Sequence, residues 1–130
     1  QKDQAGKQLV QAFISANKIQ DDFVKLSAFS EIATAYGNLN DPSITRAGLE
    51  QIRSSADKLQ DNYNESSALS AIATAYSKLS DTTTAREILK QARSSADKLQ
   101  DNYSKSSALS AIATTYGKLN DYATAKVVLE

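Results

Sequence analysis

The sequence predicts an all-α chain assembled from tandem antiparallel helix pairs. Three observations carry that expectation. The chain matches itself when slid by 40 residues, so its 130 residues hold about 3.25 copies of one unit. Apolar residues recur at steps of three and four rather than in alternation, which is the period of a helix buried on one side. Turn-forming residues are scarce, with four glycines and one proline in the whole chain.

The self-match is literal over long stretches. Arg53 through Tyr63 recurs unchanged as Arg93 through Tyr103, and Ser66 through Thr74 as Ser106 through Thr114. Repetition of this kind predicts a single domain over 1–130, because no unit can bury its apolar face alone. Residues 1–22 are expected to be a partial repeat holding only a second helix, since Leu9, Gln11, Ala16, Lys18, Gln20 and Asp21 answer Leu49, Gln51, Ala56, Lys58, Gln60 and Asp61. Residues 23–62 form the first repeat: Phe23, Ala28, Ile32, Ala33, Thr34, Tyr36 and Asp41 keep register with Tyr63, Ala68, Ile72, Ala73, Thr74, Tyr76 and Asp81.

The second repeat, 63–102, shows the helices most plainly. In Tyr63–Leu79 the apolar positions are Ala68, Leu69, Ile72, Ala73, Tyr76 and Leu79; in Thr82–Gln100 they are Ala85, Ile88, Leu89, Ala92, Ala96 and Leu99. Asp41, Asp81 and Asp121 stand where each second helix needs an acceptor for its first N–H groups. Pro42 follows Asp41 at the first helical position, where a missing N–H costs nothing. Asn62 with Glu65 imitates a capping box for the first helix, although Lys105 replaces the glutamate in the next copy. The third repeat, 103–130, is truncated, with Val127 to Glu130 aligning on Glu87 to Lys90. Both ends of the chain are expected to interrupt a second helix in mid-course.

These residues resemble the tetratricopeptide repeat, whose signature W-x2-L-G-x2-Y then A-x3-F spans about 34 residues. Leu69, Ile72, Ala73 and Tyr76 stand at the first four places and Ala85 and Leu89 at the last two. The third copy supplies Leu109, Ile112, Ala113, Tyr116, Ala125 and Leu129. The first supplies Phe29, Ile32, Ala33 and Tyr36, then departs, with Thr45 where alanine is expected before Leu49. Ala33, Ala73 and Ala113 are small enough to let a neighbouring helix approach closely. The resemblance implies a right-handed α-solenoid with a concave groove along its first helices. HEAT-like repeats of about 40–47 residues compete on length alone; the side-chain pattern favours the tetratricopeptide-like reading. Ile52, Ala56, Leu59 and Tyr63 continue one apolar stripe, so the additional length is read as a longer second helix.

On that reading the face opposite each buried stripe is the candidate binding groove. It carries Ser27, Ser30, Thr34 and Asn38 in the first copy, then Ser67, Ser70, Thr74 and Lys78, then Ser107, Ser110, Thr114 and Lys118. Steps of three and four place each set on one side of its helix. Serine and threonine are mediocre helix formers, and a face that is merely solvated more often carries Glu, Lys or Gln. A hydroxyl-lined groove for a protein or peptide partner is one reading; small polar filler is the other. The family's clamp of Lys, Asn and Arg for a partner's C-terminal carboxylates is not reproduced, since Lys78 and Lys118 have no basic companion on their face.

Other chemistry finds little footing. Fifteen basic against fifteen acidic residues leave no surplus of cations for nucleic acid. The chain has neither histidine nor cysteine, which removes the usual metal and cofactor ligands and the usual nucleophile–base pairs. No catalysis and no cofactor are expected. No apolar run approaches the roughly 20 residues of a membrane span. Asp21-Asp22 is the single adjacent carboxylate pair, too few oxygens for calcium. Arg53/Asp57 and Arg93/Asp97 read as surface ion pairs, and Asn64-Glu65-Ser66 and Asn102-Tyr103-Ser104 match the glycosylation acceptor pattern. Two addresses fit, cytoplasmic or secreted from a bacterium after removal of a signal peptide. Neither end resembles a polar capping repeat, so head-to-tail self-assembly into a ring or filament is the alternative to a partner-binding scaffold.

Overall fold

In a computed structural model that describes residues 1–130, the chain is all-α. Seven helices follow one another: α1 (Lys2–Asn17), α2 (Asp22–Gly37), α3 (Pro42–Ala56), α4 (Asn62–Lys78), α5 (Thr82–Asp97), α6 (Asn102–Lys118) and α7 (Tyr122–Leu129). In the vocabulary of the repeat, α2, α4 and α6 are first helices and α1, α3, α5 and α7 second helices.

An aspartate opens every helix but the first. Asp41, Asp81 and Asp121 accept from the backbone N–H of Ile44, Thr84 and Thr124, as expected for α3, α5 and α7. Asp21, Asp61 and Asp101 do the same for α2, α4 and α6. This corrects the expected capping box. The Asp61 carboxylate takes the N–H groups of Tyr63 at 2.7 Å and Asn64 at 3.1 Å, so Asn62 lies inside the helix. Glu65 faces elsewhere and accepts from the Ser95 hydroxyl at 2.6 Å.

Caps at this spacing set the helix lengths. The first helices run 16 or 17 residues, while α3 and α5 run 15 and 16. The second helix is therefore no longer than the first, contrary to expectation, and α5 stops at Asp97 rather than Gln100. Leu59 stays buried from within the link, where its N–H bonds the Ala56 carbonyl at 3.1 Å. α1, at 16 residues, equals α5 in length, and α7 runs 8 residues.

Each first helix turns into its second through one residue in the left-handed region: Asn40, Ser80 and Asn120, with φ of 59°, 60° and 61°. In α4 and α6 that turn is locked by paired backbone bonds, Ser80 N to Ser77 O with Asp81 N to Tyr76 O, and Asn120 N to Gly117 O with Asp121 N to Tyr116 O. In α2 the Tyr36 carbonyl is held differently, by the Thr45 hydroxyl at 2.6 Å. This is the role of the threonine that departs from the repeat pattern: fully buried, it pins the end of α2 to α3. Thr45→Val is expected to lower unfolding free energy by about 1 kcal/mol in urea titrations, one net hydrogen bond lost from an unchanged shape. An unchanged midpoint would mean that the bond contributes nothing.

The two apolar stripes meet in one continuous core. Phe29, Leu49, Ile52, Leu69, Ile72, Tyr76, Ile88, Leu89 and Ile112 are fully buried, as are Ala33 and Ala73. At the first end Phe13 of α1 meets Phe29 of α2 with ring centres 5.7 Å apart. Every helix packs only against helices one or two positions away along the chain. First helices touch first helices directly, α2 on α4 and α4 on α6. The later second helices are tied by side chains: Arg46 of α3 pairs with Asp81 at the start of α5, and Arg86 of α5 with Asp121 at the start of α7, at 3.1 Å. The Arg46 guanidinium bonds to Asp81 and holds its carboxyl below the usual carboxylate range.

A candidate binding face on the first helices

The residues of the predicted face divide into two roles. Ser27, Thr34 and Asn38 are exposed on α2; Ser67 and Thr74 are half-buried and Lys78 exposed on α4; Thr114 and Lys118 are exposed and Ser107 half-buried on α6. Ser70 departs from the expectation of an exposed ladder, being 5% exposed, with a hydroxyl that finds no partner. Ser30 is half-buried and Ser110 exposed. The step of four from Ser27, Ser67 and Ser107 adds Glu31, Ala71 and Ala111, which the sequence reading passed over. Ala71 and Ala111 line a shallow groove between α4 and α6 with Thr74, Thr114 and Lys118. Lining positions for that groove could have been found by weighting alanine as a surface residue on a helix where bulk is excluded.

The hydroxyls are not equally available. Thr34, Thr74 and Thr114 each donate to the carbonyl one turn back, on Ser30, Ser70 and Ser110, at 2.9, 3.0 and 2.9 Å. The Thr34 and Thr114 protons are spent within the helix, so these two present acceptor lone pairs outward. Thr74 Oγ1 also lies 3.1 Å from Thr115 Oγ1, joining α4 to α6. Thr115, buried at a position where α2 and α4 carry alanine, is a seam residue with no signal in the stripe pattern. Lys78 reaches across to the Asn38 side-chain oxygen at 2.7 Å. Lys118 has no ion pair. Thus the face offers small side chains, hydroxyl acceptors, an acid at one end (Glu31) and a cation at the other (Lys118).

The remaining candidates take structural places. Asp21 caps α2, and Asp22 accepts from the Gln60 N–H at 3.4 Å. Asp57 accepts from Gln91 at 2.6 Å, and Arg53 also approaches Gln91, so the expected Arg53–Asp57 pair is replaced by a link between α3 and α5. Arg93 and Asp97 stand 3.9 Å apart. Asn64 is buried at 7% exposure inside α4, out of reach of glycosylation in the folded chain. No helix is long and apolar enough to cross a membrane.

Comparison of the chain with protein-family models, with curated proteins and with solved structures returns no match.

Proposed function

We propose that the chain is a tetratricopeptide-like, right-handed α-solenoid of 40-residue helix pairs, and that it works without catalysis as a scaffold binding a protein or peptide along its first-helix face. Packing confined to neighbours along the chain supports the solenoid reading. The observation that carries the function is the groove between α4 and α6, floored by Ala71 and Ala111 and edged by Thr74, Thr114 and Lys118. Small side chains let another backbone come close, and the outward lone pairs of the threonines suit a partner that donates N–H groups. Lys118 favours an acidic group at one end of that partner.

Selection of a displayed peptide library against the folded chain tests this. Enriched peptides are expected to lose binding to Thr114→Glu and Lys118→Glu variants, at exposed positions where thermal stability should hold. Thr74 is a poor choice for the same test, because its bond to Thr115 ties two helices together. Enrichment of nothing, or of peptides indifferent to both substitutions, would remove the groove from consideration.

A second reading, end-to-end self-assembly, is favoured by exposed apolar residues at both ends: Phe23 and Val24 near the first, Tyr103 and Leu129 near the last. In repeat register, however, α1 of a second copy takes the place α7 holds in the first, so α7 has to give way. Light scattering that reports 14.0 kDa at every concentration would end this reading.

A further inference from the structure

The outward face of α1 differs from those of the other second helices. Toward the core α1 buries Gly6, Phe13 and Ala16. On another side of the same helix Val10 and Ile14 lie open, at 41% and 43% exposure. At those two places α3 carries Glu50 and Ser54, and α5 carries Lys90 and Ser94. The scaffold therefore has no need of apolar side chains there, since two other copies use polar ones. Val10 also lines the cleft between α1 and α3 with Ile44 and Ala47 of α3, which widens the apolar surface.

Charges close this stripe at both ends. With 3.6 residues per turn, Asp3, Lys7, Val10, Ile14 and Lys18 fall within about 80° of the helix circumference. Asp3, Lys7 and Lys18 are exposed, and none of them has an ion pair within the chain. The stripe thus runs from an acid, past two apolar residues, to a base. Turned end for end about a point between Val10 and Gln11, it is its own complement. Asp3 of one copy then faces Lys18 of the other, and the aliphatic stem of Lys7 lies along Ile14. Antiparallel helices also set their dipoles in the favourable sense. Neither α3 nor α5 can pair with itself in this way, since Ser43 and Thr83 stand where α1 has Asp3. A net charge of zero leaves no long-range repulsion between two copies.

We propose that the outward face of α1 takes α1 of a second copy, antiparallel, about a two-fold axis between Val10 and Gln11. Each copy covers its Val10 and Ile14 with the other, and an Asp3–Lys18 pair forms at either end. The apolar residues supply the affinity, and the end charges fix direction and register. The contact is isologous and closes at two copies, unlike the end-to-end contact considered above. It lies on a second helix, so it stands or falls independently of the first-helix groove.

The test is sedimentation equilibrium of the chain at concentrations up to about 1 mM in about 0.15 M salt. The mass is expected to rise from 14.0 kDa toward twice that value and to stop there. Val10→Glu/Ile14→Ser installs what α3 already carries, so the monomer should melt with the parent while association weakens about tenfold or more. Asp3→Lys and Lys18→Asp each set like charges against one another, and each should weaken self-association about tenfold. Mixed in equal amounts, these two variants restore both ion pairs and should form a mixed dimer as tight as the parent's. A mass fixed at 14.0 kDa or growing past two copies would overturn the proposal. So would a dimer indifferent to Val10→Glu/Ile14→Ser, or charge variants that fail to pair when mixed.

Discussion

Truncating Tyr76 to alanine is expected to cost about 3–5 kcal/mol of unfolding free energy, the largest single-residue effect in this chain. The ring is fully buried, contacts Arg46 of the preceding second helix, and extends its hydroxyl toward Glu50. Nearly all of the cost is packing, because the hydroxyl contact at 3.4 Å is long. Tyr76→Phe should therefore cost under about 1 kcal/mol. Equal losses for the two variants in denaturant titrations would shift the credit from ring to hydroxyl. The same residue sets an alkaline limit. Burial, reinforced by the Glu50 charge, pushes its hydroxyl up to about 12 from an ordinary 10.0. The folded value lies above the unfolded one, so this contribution is complete below pH 10.0 and is lost progressively as pH rises toward about 12. The stability of Tyr76→Phe should fall less steeply across that window.

Replacing Ala73 with leucine is expected to cost about 1–3 kcal/mol through overpacking, a fall of roughly 4–11 °C in melting temperature for a chain of this size. Ala73 is fully buried on α4, the helix that packs against α2, α3, α5 and α6, so no side is open to receive the added methylenes. Ala71→Leu, two residues away and half-buried, is the matched control and should move the melting temperature little. A leucine at position 73 that melts with the parent would remove the close-packing role assigned to the repeated alanine. Ala113, at 6% exposure on α6, should tolerate the same change better than Ala73.

Much of this molecule is legible in its residues. The buried stripe Ala68, Leu69, Ile72, Ala73 and Tyr76 follows from spacing alone, because a helix can hide only the side chains that share a face. The caps at Asp41, Asp81 and Asp121 follow from local chemistry. Local chemistry also points to Asp61 rather than Asn62 as the cap of α4: Asp61 stands in the same place before α4 as Asp81 does before α5, and an aspartate every half-repeat sets both helices to similar length. The second-helix arginines were legible too. Arg46 and Arg86 recur in register, each 35 residues before its aspartate, but that distance exceeds any local rule and only the side-chain link from α3 to the start of α5 gives it meaning.

The binding face divides along the same line. Periodicity puts Ser30, Ser70 and Ser110 on one side of their helices with Thr34, Thr74 and Thr114, and cannot say how far the neighbouring helix covers them. Ser70 is buried and Ser110 exposed although Ser66 through Thr74 and Ser106 through Thr114 are identical stretches. The difference lies wholly in what packs beside them: α4 has first helices on both sides, and α6 has one. The sequence by itself determined the helices, their starts, the buried stripe and the repeat, since each depends on interactions within a few residues or on a strict period. The tertiary structure alone decided which hydroxyls face a neighbour and which aspartate meets an arginine. Those outcomes depend on residues brought together from separate repeats, where the pattern within any one copy is silent.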